Sequence, residues 1–178
     1  MINLETPSEK YIDSFFEAMA EFAVEGIPQV SEDMTREQFP AYVQRLHDQS
    51  IGKNLKEGHI PSKEFWIIDD EGFAGRIILG LTYTPSSDRV GHHVGYAVRP
   101  SKRRQGYATN ALECLLIEAR KLDIYKLMPS CGADNVASRK VIEKNGGVLL
   151  GDLPDVHPSH GELRFLIDLG AEPATPGR

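Results

Sequence analysis

From the N-terminus, apolar residues recur at three- and four-residue spacing through residues 9–25, where Ile12, Phe15, Phe16, Met19, Phe22 and Ala23 form one stripe. That period predicts an amphipathic helix, opened by Pro7-Ser8 and stopped at Gly26, with a short strand over residues 2–5 ahead of it. Thr35-Arg36-Glu37-Gln38 has the form of a capping box. A second helix is therefore expected to follow, carrying Phe39, Tyr42, Val43 and Leu46, with Pro40 in its first turns, where proline is tolerated. Both aromatic stripes read as core.

From Glu64 the period shortens to that of strands. Phe65-Trp66-Ile67-Ile68 and residues 73–83 pair as a hairpin across Asp70-Glu71-Gly72, and Pro85-Ser86-Ser87-Asp88 leads into a third strand over residues 90–98. A long helix is expected over 106–122, with Ala108, Ala111, Leu112, Leu115, Ala119 and Leu122 on one face. A strand over 124–131 follows, then a helix over 135–145 closed by Gly146-Gly147, and a last strand pair at 148–150 and 163–169. With no repeat and no linker, this order predicts one mixed α/β domain over residues 1–170 and a loose tail over 171–178.

Composition narrows the class. At 178 residues, 40% hydrophobic, the chain can bury a core without staples, and its two cysteines, Cys114 and Cys131, cannot build a disulfide framework or a cysteine-rich zinc site. No apolar run reaches membrane-spanning length, and MINLETPSEK lacks a basic and apolar leader, so the expectation is a soluble, cytoplasmic protein with no membrane partner. Lys+Arg 20 against Asp+Glu 26, a formal charge of -6, excludes a nucleic-acid binder that relies on a broad basic face. The positive charge is concentrated, however, because Arg99, Lys102, Arg103 and Arg104 stand within six positions. Such a cluster suits a local anion site.

That cluster lies between a strand ending near Arg99 and a helix beginning near Gly106, where successive backbone N–H groups have no internal partner and favour an anion. Gly106 permits close approach to the backbone, Ala108 keeps the next turn small, and Arg103 and Arg104 add charge. There is no G-x-x-x-x-G-K-[ST] and no G-x-G-x-x-G after a strand. What is present is Arg103-x-x-Gly106-x-Ala108.

This signature resembles the pyrophosphate loop of the GNAT superfamily of acyl-CoA N-acetyltransferases. The resemblance extends to the preceding strand Gly95-Tyr96-Ala97-Val98 and to the asparagine-led run from Asp134-Asn135 to Gly146-Gly147, and the element order agrees across the domain. It implies a central, mostly antiparallel twisted sheet of about seven strands with about four helices, splayed between the fourth and fifth strands. It also implies that Tyr96, Ala97 and Val98 pair with the pantetheine of acetyl-CoA like an added strand. Amides of Arg104, Gln105, Gly106, Tyr107, Ala108 and Thr109 would hold the pyrophosphate, and Asn135 and Ser138 would stand near the pantetheine arm. For Ser138 a helix-capping role is an equal alternative.

The implied reaction is direct attack of an amine on the thioester, with the Val98 N–H as donor to the thioester oxygen. Of His92 and His93, strand alternation lets one face the cleft, and His93, where relatives carry a glutamate, is the expected base. The tyrosine that many relatives use as acid is replaced by Ile142, which leaves Tyr107, Tyr125, Cys131 or water. His157 and His160 match no standard metal spacing, so no metal is expected. Two readings follow: an N-acetyltransferase acting on a small-molecule or peptide amine, and a non-catalytic acyl-CoA-binding protein on the same scaffold. The resemblance leaves a homodimer open.

Overall fold

The computed structural model describes residues 1–27, 34–82, 94–153 and 161–170, with the side chains of 151–153 left aside. His92, His93, His157, His160, the turn at 85–88 and the tail at 171–178 lie outside the described residues.

The first helix holds the whole apolar stripe but is shorter than the expected 9–25. Ser8 caps a single 3-10 turn, Glu9–Tyr11, before helix α1, Ile12–Val24, begins. At its end Gly26 takes φ +68, and the Ile27 N–H reaches back to the Phe22 carbonyl at 3.1 Å, a closure that needs a left-handed residue. The capping box is formed: the Gln38 side chain accepts the Thr35 N–H at 2.9 Å, and a 3-10 turn, Arg36–Gln38, leads into α2, Phe39–Ser50.

Strands β1 (Asn3–Glu5), β2 (Ser62–Asp69), β3 (Gly72–Gly80) and β4 (Val94–Val98) form one antiparallel sheet in that order. Helices α1 and α2 cover one face and α3, Tyr107–Lys121, the other. This is why Phe65, Trp66, Ile67 and Ile68 are all buried: a strand covered on both faces reads as a continuous apolar run. Trp66 and Ile68 join the aromatic cluster of Phe15, Phe22, Phe39, Tyr42 and Phe73, while Phe65 and Ile67 pack with Ala111, Leu112, Leu115 and Ala119 of α3. Leu122, assigned to the buried face of α3, instead lies exposed beyond the helix end.

The strand expected over 124–131 is two short pieces, β5 (Lys126–Leu127) and β6 (Ser130–Gly132). Pro129 stands between them and has no N–H for a ladder bond. Both pair with β8 (Glu162–Asp168), which also pairs with β7 (Val148–Leu153). Eight strands are thus present among the described residues, against about seven expected, and the four helices agree. Helix α4, Val136–Lys144, lays Ile142 on this second sheet against Cys131, Leu163 and Phe165. Among the described residues, no helix is long and apolar enough to cross a membrane.

Candidate active site

Among the described residues, the strands of the two sheets bridge at one point. Val94 of β4 bridges Pro129 in parallel, and beyond it β4 keeps only β3 as a neighbour while β6 keeps only β8 among the described residues. The strands therefore diverge from Val94 toward Val98, opening a wedge between the fourth and fifth strand positions.

Hydrogen-bond alternation decides which groups of β4 face that wedge. The Arg99 N–H donates to the Ala74 carbonyl at 2.8 Å, which makes Val98 opposite Gly75 a pair that exchanges no ladder bonds. The Val98 and Tyr96 backbone groups consequently point away from β3, into the wedge. Ala97, expected beside them, faces β3 through its partner Arg76, so the open edge is supplied by Tyr96 and Val98 alone. The Val98 carbonyl accepts Arg103 Nε at 3.1 Å, which leaves its N–H as the donor without a partner among the described residues.

Tyr96 also reaches across the wedge. Its hydroxyl lies 2.7 Å from Ser138 Oγ and donates to the Ser138 carbonyl at 3.2 Å, joining β4 to the first turn of α4. Burial pushes the phenol up to about 12, so it stays protonated. Asn135 caps α4, its side-chain oxygen accepting the Ser138 N–H at 3.0 Å. Ser138 is thus held by Asn135 at its amide and by Tyr96 at its hydroxyl. Ile142 sits one turn further along, fully buried. Cys131 lies beside Ser138 on the other wall, and burial raises its thiol despite the Ser138 hydroxyl, which argues for a packed thiol over a nucleophile. Among the remaining acid candidates, the Tyr107 hydroxyl donates to Asp69 at 2.7 Å and that of Tyr125 to Asp123 at 3.2 Å.

At the mouth of the wedge, Arg104 (φ +60) and Gly106 (φ +85) flank Gln105 in left-handed conformations, an arrangement that turns successive amides toward one side as α3 begins at Tyr107. The first-turn amides of Tyr107, Ala108 and Thr109 continue that array. The basic cluster beside it differs from the sequence expectation. Arg99 pairs with Glu21 at 2.7 Å and Glu17 at 3.3 Å, Lys102 with Glu71 at 2.7 Å and Asp69 at 3.0 Å, and Arg103 with Glu25 at 2.8 Å. Three of the four charges therefore strap the turn onto α1 and the β2–β3 turn, and Arg104 alone has no ion pair among the described residues. The sequence reading missed the acidic partners, although Glu17 and Glu21 on α1 and Glu25 at its C-cap stand at a visible four-residue spacing. Glu21 shows their setting: burial alone would raise its carboxyl, but the Ser101 N–H and Arg99 hold it below the usual range. No cluster of metal-ligating side chains occurs among the described residues.

The sequence matches the profile of the acetyltransferase (GNAT) domain over residues 2–148. The chain belongs to the GNAT acetyltransferase family. GNAT enzymes use acetyl-CoA as co-substrate. Solved GNAT structures share the fold at low identity. The acetyltransferase that modifies the N-terminal serine of 50S ribosomal subunit protein L7/L12 from Salmonella typhimurium is 18% identical, with a TM-score of 0.69 over 95% of each chain. The Microcin C7 self-immunity acetyltransferase, in complex with acetyl-CoA and AMP, is 15% identical, with a TM-score of 0.72 over 94% of this chain and 92% of that one. A GNAT-family acetyltransferase from Bacillus anthracis is 20% identical, with a TM-score of 0.65 over 94% and 95%. No curated protein matches the sequence.

Proposed function

We propose that this GNAT protein transfers the acetyl group of acetyl-CoA to a primary amine of a peptide or small molecule, by direct attack of the amine on the thioester carbonyl. The observation that carries the reading is the Val98 N–H, without a partner among the described residues and aimed into a wedge whose mouth ends in an array of amides likewise unpaired among them. These groups suit an extended amide-bearing arm that ends in a pyrophosphate. Acetyl-CoA supplies the thioester and a good leaving group.

The chain's own residues then have separable tasks. The amides of Arg104, Gln105, Gly106, Tyr107, Ala108 and Thr109 bind the pyrophosphate, assisted by the Arg104 charge. Arg103, already paired with Glu25, serves by shaping the turn and holding the Val98 carbonyl. Tyr96 and Val98 align the pantetheine, and the Val98 N–H stabilises negative charge on the carbonyl oxygen as the amine nitrogen bonds to carbon. His93 accepts the proton lost by the ammonium, a role carried over from its place ahead of Gly95 in the sequence. Ser138 gives the departing thiolate its proton as the C–S bond breaks, and Tyr96 steadies the serine hydroxyl. Ser138 thus supplies the hydroxyl that Ile142 cannot.

Two variants check these roles. Ser138→Ala is expected to lower kcat by roughly 100-fold, the low end for a general acid because a thiolate leaves readily, and an unchanged kcat would remove it. His93→Ala should flatten the acidic limb of the pH–rate profile, and an intact limb would exclude it as the base.

The similar enzyme that modifies an N-terminal serine makes a peptide N-terminus the first acceptor to try, with polyamines and amino acids beside it. Mass spectrometry of the mixture after incubation with acetyl-CoA should show one acceptor class carrying an acetyl group. Acetyl-CoA binding with every acceptor unmodified would favour a non-catalytic acyl-CoA-binding protein.

A further inference from the structure

We propose that Asp69 is a positioning residue of the pyrophosphate cradle, acting through Tyr107 and Lys102. The inference rests on the acetyl-CoA reading above and assigns a role to a carboxylate that touches neither the wedge nor the amide array.

Asp69 is the last residue of β2, and its side chain is only 2% exposed. Both its oxygens are in use. Oδ1 accepts the Glu71 N–H at 2.8 Å, while Oδ2 accepts the Tyr107 hydroxyl at 2.7 Å and meets Lys102 Nζ at 3.0 Å. Those last two partners bracket the cradle. Lys102 closes the 3-10 turn Pro100–Lys102, and Tyr107 is the first residue of α3, so one carboxylate oxygen holds both ends of the segment that carries Arg104, Gln105 and Gly106.

That segment has reason to need holding. Two of its residues are left-handed, and for Arg104 that conformation costs about 1–2 kcal/mol without a compensating tie. Its Gln105 side chain donates to the Ser101 carbonyl, at 3.1 Å, within the same turn. The anchor is also charged where a buried acid would usually be neutral. Burial alone would raise Asp69, yet the hydrogen bonds from Tyr107 and Lys102 hold it below the ordinary carboxylate value. Lys102, shared with the exposed Glu71, offsets part of that charge. A buried ion pair of this kind adds little net stability. Fixing the direction of amides before a ligand arrives lowers the ordering cost of binding, which is the benefit expected here.

The test is calorimetric titration of the full chain with CoA, and with 3′-phospho-ADP as the fragment that keeps the pyrophosphate. Wild type, Asp69→Asn, Tyr107→Phe and the double variant are compared, with the melting temperature and the KM for the acceptor recorded in parallel. Each single variant is expected to bind both ligands roughly tenfold more weakly, with the acceptor KM unmoved. The double variant should be no weaker than the poorer single one, because the two residues act as one unit. Should Asp69→Asn not fold, Tyr107→Phe removes a single half-buried hydroxyl and carries the test. Affinities within twofold of wild type would overturn the proposal, as would a loss matched by the acceptor KM and the melting temperature, which would mean general loosening. If wild type itself binds no CoA, the acetyl-CoA reading fails first and takes this inference with it.

Discussion

Replacing Gly106 with valine is expected to weaken acetyl-CoA binding by about 100-fold, roughly 2.7 kcal/mol, while the protein stays folded. The two halves of this result have separate causes. Gly106 sits at φ +85, where a β-branched residue is strained by about 1–2 kcal/mol, a tolerable loss for a domain of this size. A Cβ there meets little protein, since the nearest described atom is Asn110 Nδ2 at 4.0 Å. The space beside Gly106 is therefore not core, and in this account it receives the pyrophosphate. A branched side chain would fill it and shield the amides of Gln105 to Ala108. Calorimetry with acetyl-CoA, read beside a thermal melt, checks both halves. Unchanged affinity would show that the phosphate groups bind elsewhere.

Phe15→Ala should have the opposite signature, costing about 3–5 kcal/mol of stability and lowering the melting temperature by on the order of 10 °C. The Phe15 ring is 1% exposed and stands 4.9 Å from Phe39, 5.1 Å from Phe73, 5.3 Å from Trp66 and 5.6 Å from Tyr42, measured between ring centres. Removing it leaves a cavity between α1, α2 and the sheet that rigid aromatic neighbours cannot close. Below its lowered transition, the variant should retain its affinity for acetyl-CoA, because Phe15 touches no part of the wedge. Thermal melts and titrations on the same preparation separate the two effects, and a loss of under 1 kcal/mol would contradict the packing account.

The elements with a strong local signal were legible in the sequence. The Thr35 box, the Gly26 stop, the stripe of α3 and the helix start at Gly106 all follow from short-range chemistry, and each is present. What could not be read depends on residues brought together from far apart. Nothing local says that Ala97 turns its backbone to β3 while Val98 does not, since that follows from the register with Gly75 and Arg76. Gly75 itself looks like a weak point in a strand, yet a Cβ there would strike the Ala97 carbonyl oxygen and stand 3.0 Å from Val98 Cα. The glycine lets β3 lie close under the segment that forms the site. The basic cluster is the clearest case. Its four charges suggested a local anion site to which Arg103 and Arg104 add charge, and only tertiary contact with Glu17, Glu21, Glu25, Asp69 and Glu71 shows that three of the four hold the turn together. Likewise, Ser138 was named from the sequence, but its contact with the Tyr96 hydroxyl, 42 positions away in the chain, was not legible there.

The most direct test of the account is thiol release from acetyl-CoA by the wild-type protein, followed continuously as peptide N-termini, polyamines and amino acids are added in turn. Release that depends on one class of primary amine and saturates in acetyl-CoA is the predicted result. No release above the amine-free rate with any acceptor, at acetyl-CoA concentrations that saturate binding, would contradict it.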